Sequence, residues 1–414
     1  METSQSFIAN VAILNKLLAK ETWYNTFWSK FSGQVSISTD DNGNKTYTPS
    51  GKTIEMLNDF VAQGRDNMLL PFLRELTGEP VFGDTVLKGT GEDQSLNWLR
   101  TFINQYRKAV MKRSGQMSDQ RQKLYKLYDA ARPQLSRYFS KFENQSIFST
   151  FYEGVSPNLS KGTNFDGLGV VKRFNPNWYC NDGGVLTNVG SENAFKTAAH
   201  LDAAVTAADS TMSTVILRQL RTKLMNLRIP TMTTYGGNPF WCIVMHSKQV
   251  EDLMNDTDYK AASRDAYSGK MVASPELSGV VGYYGGFAIY EDIVGIRGWN
   301  TTSDTFGFET VASMFAPTTV TNNYNALVFG GSAVGRAVAT DLHFTQEVDD
   351  HQNTIEIGGA MINGYNRNDW VTESLSGDAS GAGTGDAFSK GNAVSTVSSG
   401  IAAINQSSCI LMTA

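Results

Sequence analysis

Apolar residues recur at helical spacing from Ile8 through Val11, Leu14, Leu17 and Leu18 and lead into the aromatic run WYNTFWSKF at 23–31, which predicts one or two short helices over 7–31. A polar stretch, 32–51, follows, and its Asp40-Asp41-Asn42-Gly43 is a turn signature between two weak strands. MLLPFL at 68–73 is short, apolar and bounded by turn residues, the pattern of a buried strand. Residues 78–97 place Gly78, Pro80, Gly83, Gly89 and Gly91 ahead of the alternating Leu96 and Trp98 and predict a long hairpin outside the core.

The clearest helix opens near Ser118, a good N-cap, and carries Leu124, Leu127, Tyr128, Ala131, Leu135, Tyr138, Phe139 and Phe142 on one stripe at steps of three and four. It is expected to be long and amphipathic and to kink at Pro133 without ending there, because the stripe continues in phase. A second helix is predicted over 209–227, with Met212, Ile216, Leu220 and Leu224 on one face and Ile229-Pro230 as its stop. FWCIVM at 240–245 reads as a buried strand, and 246–255 as a helix opened by Ser247. Glycines then punctuate short apolar runs at 280–281, 287–289, 326–329 and 354–357, as in a mixed or antiparallel sheet, so the fold class is α+β. Residues 374–400 are mostly Ser, Gly, Ala, Thr and Asp, with Leu375, Phe388, Val394 and Val397 as the large apolar exceptions, and cannot offset their own ordering entropy by burial. The apolar end that follows, Cys409-Ile410-Leu411-Met412, predicts a tether whose last segment, Ile410, Leu411 and Met412, is docked.

Composition narrows the class. At 414 residues the chain has room for two or three packing units, and 41% hydrophobic against 18% charged residues makes it a folding chain, not a disordered one. A net charge of -5 withholds the overall positive field of a dedicated nucleic-acid binder, which argues against tight DNA binding. Cys180, Cys242 and Cys409 are too few and too widely spaced for a disulfide framework and read as ordinary thiols of a reducing compartment. The first ten residues carry Glu2 and no Lys or Arg, so no signal peptide is expected, and no apolar run approaches the ~20 residues of a bilayer span. A soluble, unexported chain is the expectation.

No catalytic constellation emerges. Gly51-Lys52-Thr53 ends like a phosphate-binding loop, but Thr46 stands where the first glycine is required. Gly89-Thr90-Gly91 has Gln94 in place of the third glycine of a dinucleotide loop. Around Ser332, Val334 replaces the second glycine of a nucleophile elbow. His200, His246, His343 and His351 are scattered; Glu347, Asp349, Asp350 and His351 form an acidic patch that reads as a solvated turn ahead of a cation site. Glu291 and Asp292 point to opposite faces if they lie on a strand and cannot act as an acid/base pair. What remains is an acidic chain with long loops, which are costly in entropy when free and are usually ordered against other copies; an assembly protein is indicated.

The ordered blocks themselves resemble a known family. Gly64-Arg65-Asp66, Pro71-Phe72-Leu73-Arg74, Gly83-Asp84 with Leu87, Gly89 and Glu92, and Ile103-Asn104-Gln105-Tyr106-Arg107 are similar to the tailed-phage major capsid proteins typified by the coliphage N-four-like podoviruses. Val244 to Ser247 with Leu253, Asp256 and Thr257, then Gly279 to Gly282 with Tyr284 to Gly286, 326–330 and 358–367 extend the likeness over about 20–367, with departures at 155–191 and after Asn368. The resemblance implies the Hong Kong 97-type capsid fold. Its parts would fall at 1–77 (amino-terminal arm and first strand), 78–104 (the E-loop hairpin), 105–208 (peripheral domain with a spine helix at 118–148 and an insertion), 209–340 (axial domain), 341–373 (return to the peripheral domain) and 374–414 (tail).

On that reading the chain is a structural protein and not an enzyme, has no cofactor or metal, and assembles into an icosahedral shell around double-stranded DNA. Its partners would be further copies of itself in hexamers and pentamers, scaffolding and portal proteins, decoration proteins where present, and packaged DNA held by weak non-specific contact, with no membrane. It would lie in the virion, and in host cytoplasm during assembly. Contacts between subunits are expected from Gly78, Gly83, Asp84, Leu87, Gly89 and Glu92 of the hairpin and from the aromatic anchors Trp98, Phe102, Trp23, Phe27 and Trp28, each of which would otherwise be plain core. The rivals are a cellular protein compartment of the same fold, a surface lattice or adhesin, and a hydrolase of unrecognised geometry.

Overall fold

The computed structural model describes residues 23, 26–39, 45–57, 67–73, 80–83, 88, 96–112, 127–154, 175, 177–188, 210–227, 229–233, 239–265, 279–292, 324–349, 354–371, 403–405 and 407–413. A 3-10 helix, Phe27–Phe31, opens into β1 (Ser32–Gln34), the hairpin β2 (Ser36–Thr39) and β3 (Lys45–Thr48), and β4 (Ile54–Leu57). Next come β5 (Asn67–Leu73), β6 (Leu96–Phe102), β7 (Asn104–Lys112), helix α1 (Leu127–Glu153), β8 (Trp178–Asp182) and β9 (Val185–Asn188). They are followed by α2 (Thr214–Asn226), β10 (Met232–Thr233), β11 (Pro239–Met245), α3 (Ser247–Asn255), α4 (Thr257–Asp265), β12 (Gly282–Tyr284) and β13 (Phe287–Glu291). The remainder is strand: β14 (Tyr324–Phe329), β15 (Val334–Asp349), β16 (Thr354–Arg367), β17 (Asp369–Val371), β18 (Ala403–Asn405) and β19 (Ser408–Thr413).

Two mixed sheets carry the architecture. One has the order β1-β4-β15-β16-β7; the other has the order β12-β13-β11-β14-β19-β8-β9, with β10 paired to β11. The second is a central layer. All of β11 after Pro239 is apolar, which suits a strand covered on both faces, and its alternation sorts its side chains into two cores. Phe240, Cys242 and Val244 join Leu327 and Phe329 of β14 and Ile410 and Met412 of β19 on one face, closed by Trp28, Phe31 and the end of α1 (Phe148, Phe151 and Tyr152). Trp241, Ile243 and Met245 join Ala326 and Val328 of β14 and Cys409 and Leu411 of β19 on the other, closed by Ile216, Leu217, Leu220 and Leu224 of α2 and Val250 and Leu253 of α3. The close fit is visible at Gly330, where a Cβ would come 1.8 Å from the carbonyl oxygen of Pro230.

The first half of α1 packs Leu135 and Phe139 on Leu342, Phe344, Ile357 and Met361 of the long β15–β16 hairpin. Leu135, Phe139 and Phe142 lie on the expected stripe and Pro133 is exposed inside the continuous helix. Beyond Phe142, however, the helix is not amphipathic: it is buried almost all round, Glu143, Gln145, Ser146, Ser149 and Thr150 included, because it passes between the two sheets' cores. Residues 118–126 of the expected helix lie outside the described residues.

Two local expectations are corrected. Helix α2 begins at Thr214 and not at Asp209; its first turn is capped from a distance by Asp256, which accepts from Thr214 N and Oγ1, both at 2.8 Å. Helix α3 is capped by His246 and not opened by Ser247: His246 Nδ1 accepts from Lys248 N at 3.2 Å while Gln249 Oε1 accepts from His246 N at 3.2 Å, a reciprocal capping box. The strand expected at 68–73 is present as Asn67–Leu73, and among the described residues it pairs with β6 in a two-stranded ribbon, a position that tolerates Pro71 within it. The turn signature at 40–43 does separate two paired strands, β2 and β3. The 374–400 stretch lies outside the described residues.

Candidate functional site

Two buried carboxylates organise the polar chemistry between the sheets and helix α1. Glu55 on β4 is 3% exposed. Its Oε2 accepts from Ser50 N (2.8 Å) and Ser50 Oγ (2.7 Å), and its Oε1 from Gly51 N (3.0 Å) and Ser332 Oγ (2.8 Å). The backbone N–H groups of Ser50 and Gly51, where the Gly51-Lys52-Thr53 loop begins, therefore already donate to a carboxylate of the chain itself, and Lys52 N donates to Ser50 Oγ. Among the described residues Ser332 is the non-glycine residue with positive φ, +50°. It sits in a turn whose N–H donates to the Lys52 carbonyl (2.7 Å) and whose hydroxyl is committed to Glu55, so the serine closes a junction and has a carboxylate for a partner in place of a histidine base.

The second carboxylate, Glu143, lies on α1 and is 2% exposed. Its Oε1 accepts from Arg336 Nη2 at 2.8 Å, from Tyr365 OH at 3.0 Å and from Asn363 Nδ2 at 3.0 Å. Arg336 Nε also donates to Tyr365 OH at 3.2 Å, Tyr106 OH donates to Asn363, and Trp23 lies over the Arg336 guanidinium at 3.8 Å from ring centroid to carbon. Burial, reinforced by Glu143, pushes the Tyr365 hydroxyl well above its usual range, so it stays protonated and donates. The cluster ties β7, α1, β15, β16 and the amino-terminal segment together. Leaving either charge without the other would cost about 3–5 kcal/mol.

Arg367, at the end of β16, is fully buried and donates through Nη1 to the carbonyls of Phe151 (2.6 Å) and Tyr152 (3.3 Å), where the last carbonyls of α1 lack helical partners. Lys30 places its ammonium 4.2 Å from the Tyr290 ring centroid and 4.6 Å from that of Phe27. Burial lowers its pKa from 10.5 to about 8.

The expected contact residues divide. Trp28 is fully buried within its own chain, against Phe148 (4.8 Å between centroids), Phe151 (5.2 Å) and Phe329 (5.1 Å), so it is core and has no surface to offer a neighbour. Phe27 and Trp23 pack on that core and remain partly open. Gly83 is exposed at φ +68° beside Phe82, which is 76% exposed. Trp98 and Phe102 lie on β6, paired with Pro71 and Asn67, while Gly78, Asp84, Leu87, Gly89 and Glu92 lie outside the described residues. Ile410, Leu411 and Met412 are on β19 with no solvent exposure, between antiparallel β14 and parallel β8 of the same chain. Among the described residues no three His, Cys, Asp or Glu gather as a metal cluster, and no helix is long and apolar enough to cross a membrane. Reading along the chain missed Glu143 and Arg336; the available signal was a carboxylate four residues after Phe139 on the apolar stripe of a helix.

No curated protein matches this sequence. Among solved structures the chain is similar to the capsid of Ralstonia phage GP4, at 17% identity over 94% of this chain and 90% of that one, with a TM-score of 0.61. The capsid of cyanophage Pam1 gives 16% identity, 88% coverage of both chains and a TM-score of 0.56. That of Helicobacter pylori bacteriophage KHP30 gives 11%, 94% and 91% coverage, and 0.54. At such identities the likeness is one of fold, and the fold is the Hong Kong 97-type α+β capsid architecture. The model of the family described as phage capsid protein matches residues 17–385, nearly the whole of the fold described above, and the chain belongs to that family.

Proposed function

We propose that this chain is the major capsid protein of a tailed bacteriophage, the repeated subunit of an icosahedral shell that packages double-stranded DNA. The match to the phage capsid family over residues 17–385 carries this reading. In it, the hairpin at 78–104, whose returning strand is β6, is the E-loop, reaching over a neighbouring subunit; α1 with the five-stranded sheet belongs to the peripheral domain; and α2 to α4 with β10 to β14 belong to the axial domain that crowds round the hexamer and pentamer axes. The exposed Phe82 beside Gly83, together with Trp98, Phe102, Phe27 and Trp23, supplies contacts to adjacent copies. Scaffolding and portal proteins direct closure, and the work is geometric, with no bond made or broken.

Two measurements test this. Expressed with its scaffold, or concentrated alone, the protein should form closed shells visible by negative-stain electron microscopy; light scattering that finds only monomers under every scaffold and salt condition overturns the reading. Replacing 78–97 with a short Gly/Ser turn should leave a soluble, cooperatively folded subunit that no longer assembles, and unfolding of that variant would put the hairpin in the core instead.

A further inference from the structure

The charge of this acidic protein is segregated along its sequence. Residues 105–142, which hold most of β7 and the first half of α1, contain ten Lys and Arg against two carboxylates, Asp119 and Asp129, for a net charge of +8. The rest of the chain then holds 25 Lys and Arg against 38 Asp and Glu and carries -13. The fold gathers part of this basic stretch on one surface. Arg137 and Lys141 are exposed one turn apart on α1, and the exposed Lys108 of β7 lies with its ammonium 5.6 Å from the ring centroid of Tyr138, on the same helix. None of the three pairs with a carboxylate among the described residues, and the neighbouring Gln134 and Ser140 of α1 add no negative charge. The helix's own Glu143 is turned inward and neutralised by Arg336, so it does not offset the strip.

We propose that Lys108, Arg137 and Lys141 form a contact surface for the phosphate backbone of duplex DNA, a proposal that rests on the capsid reading above and assigns the DNA-facing side of the subunit to α1 and β7. Charge complementarity selects a polyanion. The absence of large exposed apolar side chains on α1 and β7 among the described residues selects nucleic acid over an acidic protein: partner proteins are anchored by buried aromatic and aliphatic groups, whereas phosphate contacts need only cations and hydrogen-bond donors. Three such contacts per subunit make a weak, sequence-independent and salt-sensitive attraction, which multiplies over the copies lining a shell and still permits a net-acidic subunit to stay off free DNA at physiological salt.

The test compares the unaltered chain with the triple variant Lys108→Gln, Arg137→Gln, Lys141→Gln and with a control that neutralises Arg221, Lys223 and Lys260 on α2 and α4. Affinity for a labelled random-sequence duplex is read by fluorescence anisotropy between 50 and 200 mM salt, beside an equally charged poly-glutamate peptide. Shell formation is followed in parallel by electron microscopy. The triple variant is expected to bind at least about tenfold more weakly at 50 mM salt and to lose about 2 to 3 from the slope of log affinity against log salt, at about 0.9 per phosphate contact. The control should stay within about twofold. Equal losses in variant and control, or poly-glutamate bound as tightly as DNA, overturn the proposal. Shells that form normally from all three chains leave the capsid reading intact whatever the DNA arm returns, and shells from none of them remove that reading independently.

Discussion

In the eight-stranded sheet, Cys409 to Met412 of β19 are wholly without solvent exposure and their neighbours on β14, Ala326 to Phe329, are equally dry. The five-stranded sheet instead buries Glu55, Arg336, Asn363 and Arg367 along with its apolar side chains. One sheet is held chiefly by apolar area, with contributions from both of its faces and from a strand near the carboxyl end. The other is assembled around a long local hairpin, β15–β16, and joined to α1 through charge-assisted hydrogen bonds. Apolar burial is tolerant of which residue supplies it, while a buried ion pair is stabilising only when every member is present. The two halves should therefore fail in different ways when cut.

The largest effect is expected from deleting residues 407–414. Removal strips three large side chains, Ile410, Leu411 and Met412, each contributing about 1.5–3 kcal/mol by burial, and opens the facing edges of β14 and β8. The sum is comparable with the whole stability of a domain, about 5–15 kcal/mol. Calorimetry should show the main cooperative transition lost or the protein aggregating; a midpoint within a few degrees of the full chain would make β19 an accessory.

A smaller loss, about 3–5 kcal/mol, is expected for Glu143→Ala, which strands the Arg336 guanidinium in the interior. The double change Glu143→Leu with Arg336→Met should be less destabilising than Glu143→Ala alone, and urea midpoints that rank the double change worse would remove the ion pair as the organising feature of this half. Trp23→Ala should cost about 1–2 kcal/mol through lost stacking on Arg336 and lost area, with the stacking part vanishing in an Arg336→Met background.

The smallest effect is a pH dependence at the edge of the eight-stranded sheet's core, where solvent reaching the half-buried Lys30 screens most of the energy. Lys30 titrates at about 8 in the folded protein and near 10.5 when unfolded, because folding buries its ammonium among aromatic rings. Between those values the unfolded chain binds more protons, so stability rises with pH over that window. Lys30→Met should remove that rise while leaving the protein at least as stable at pH 7. Denaturation midpoints of both chains from pH 7 to 10 check it, and parallel curves would contradict it.

Much of the eight-stranded sheet was legible along the chain. The unbroken apolar run at 240–245, the stripe Ile216, Leu220 and Leu224, and the terminal Ile410 to Met412 each advertise burial, since side-chain period and hydrophobicity are local properties. The polar half was not. Arg336 and Glu143 are 193 positions apart, and nothing local distinguishes a carboxylate that will meet a guanidinium from one left in water. Trp28 shows the same limit: an aromatic in a short helix near the start of the chain suits a core or an interface equally, and only packing against Phe148 and Phe329 decides it. The cap of α3 depended on a ring nitrogen of His246 competing with the better-known Ser247.

What the sequence determined by itself was which stretches are dry, which are turns and how charge is distributed, because composition and period act within a few residues. Which strands are neighbours was decided by the tertiary structure. The unbroken apolar run from Cys409 to Met412 says that both faces of β19 are buried, but not that the strand enters between β14 and β8, antiparallel to one and parallel to the other. That choice is made by backbone hydrogen bonds that any two extended strands can form, and is settled by the two cores and helices that close over the assembled sheet.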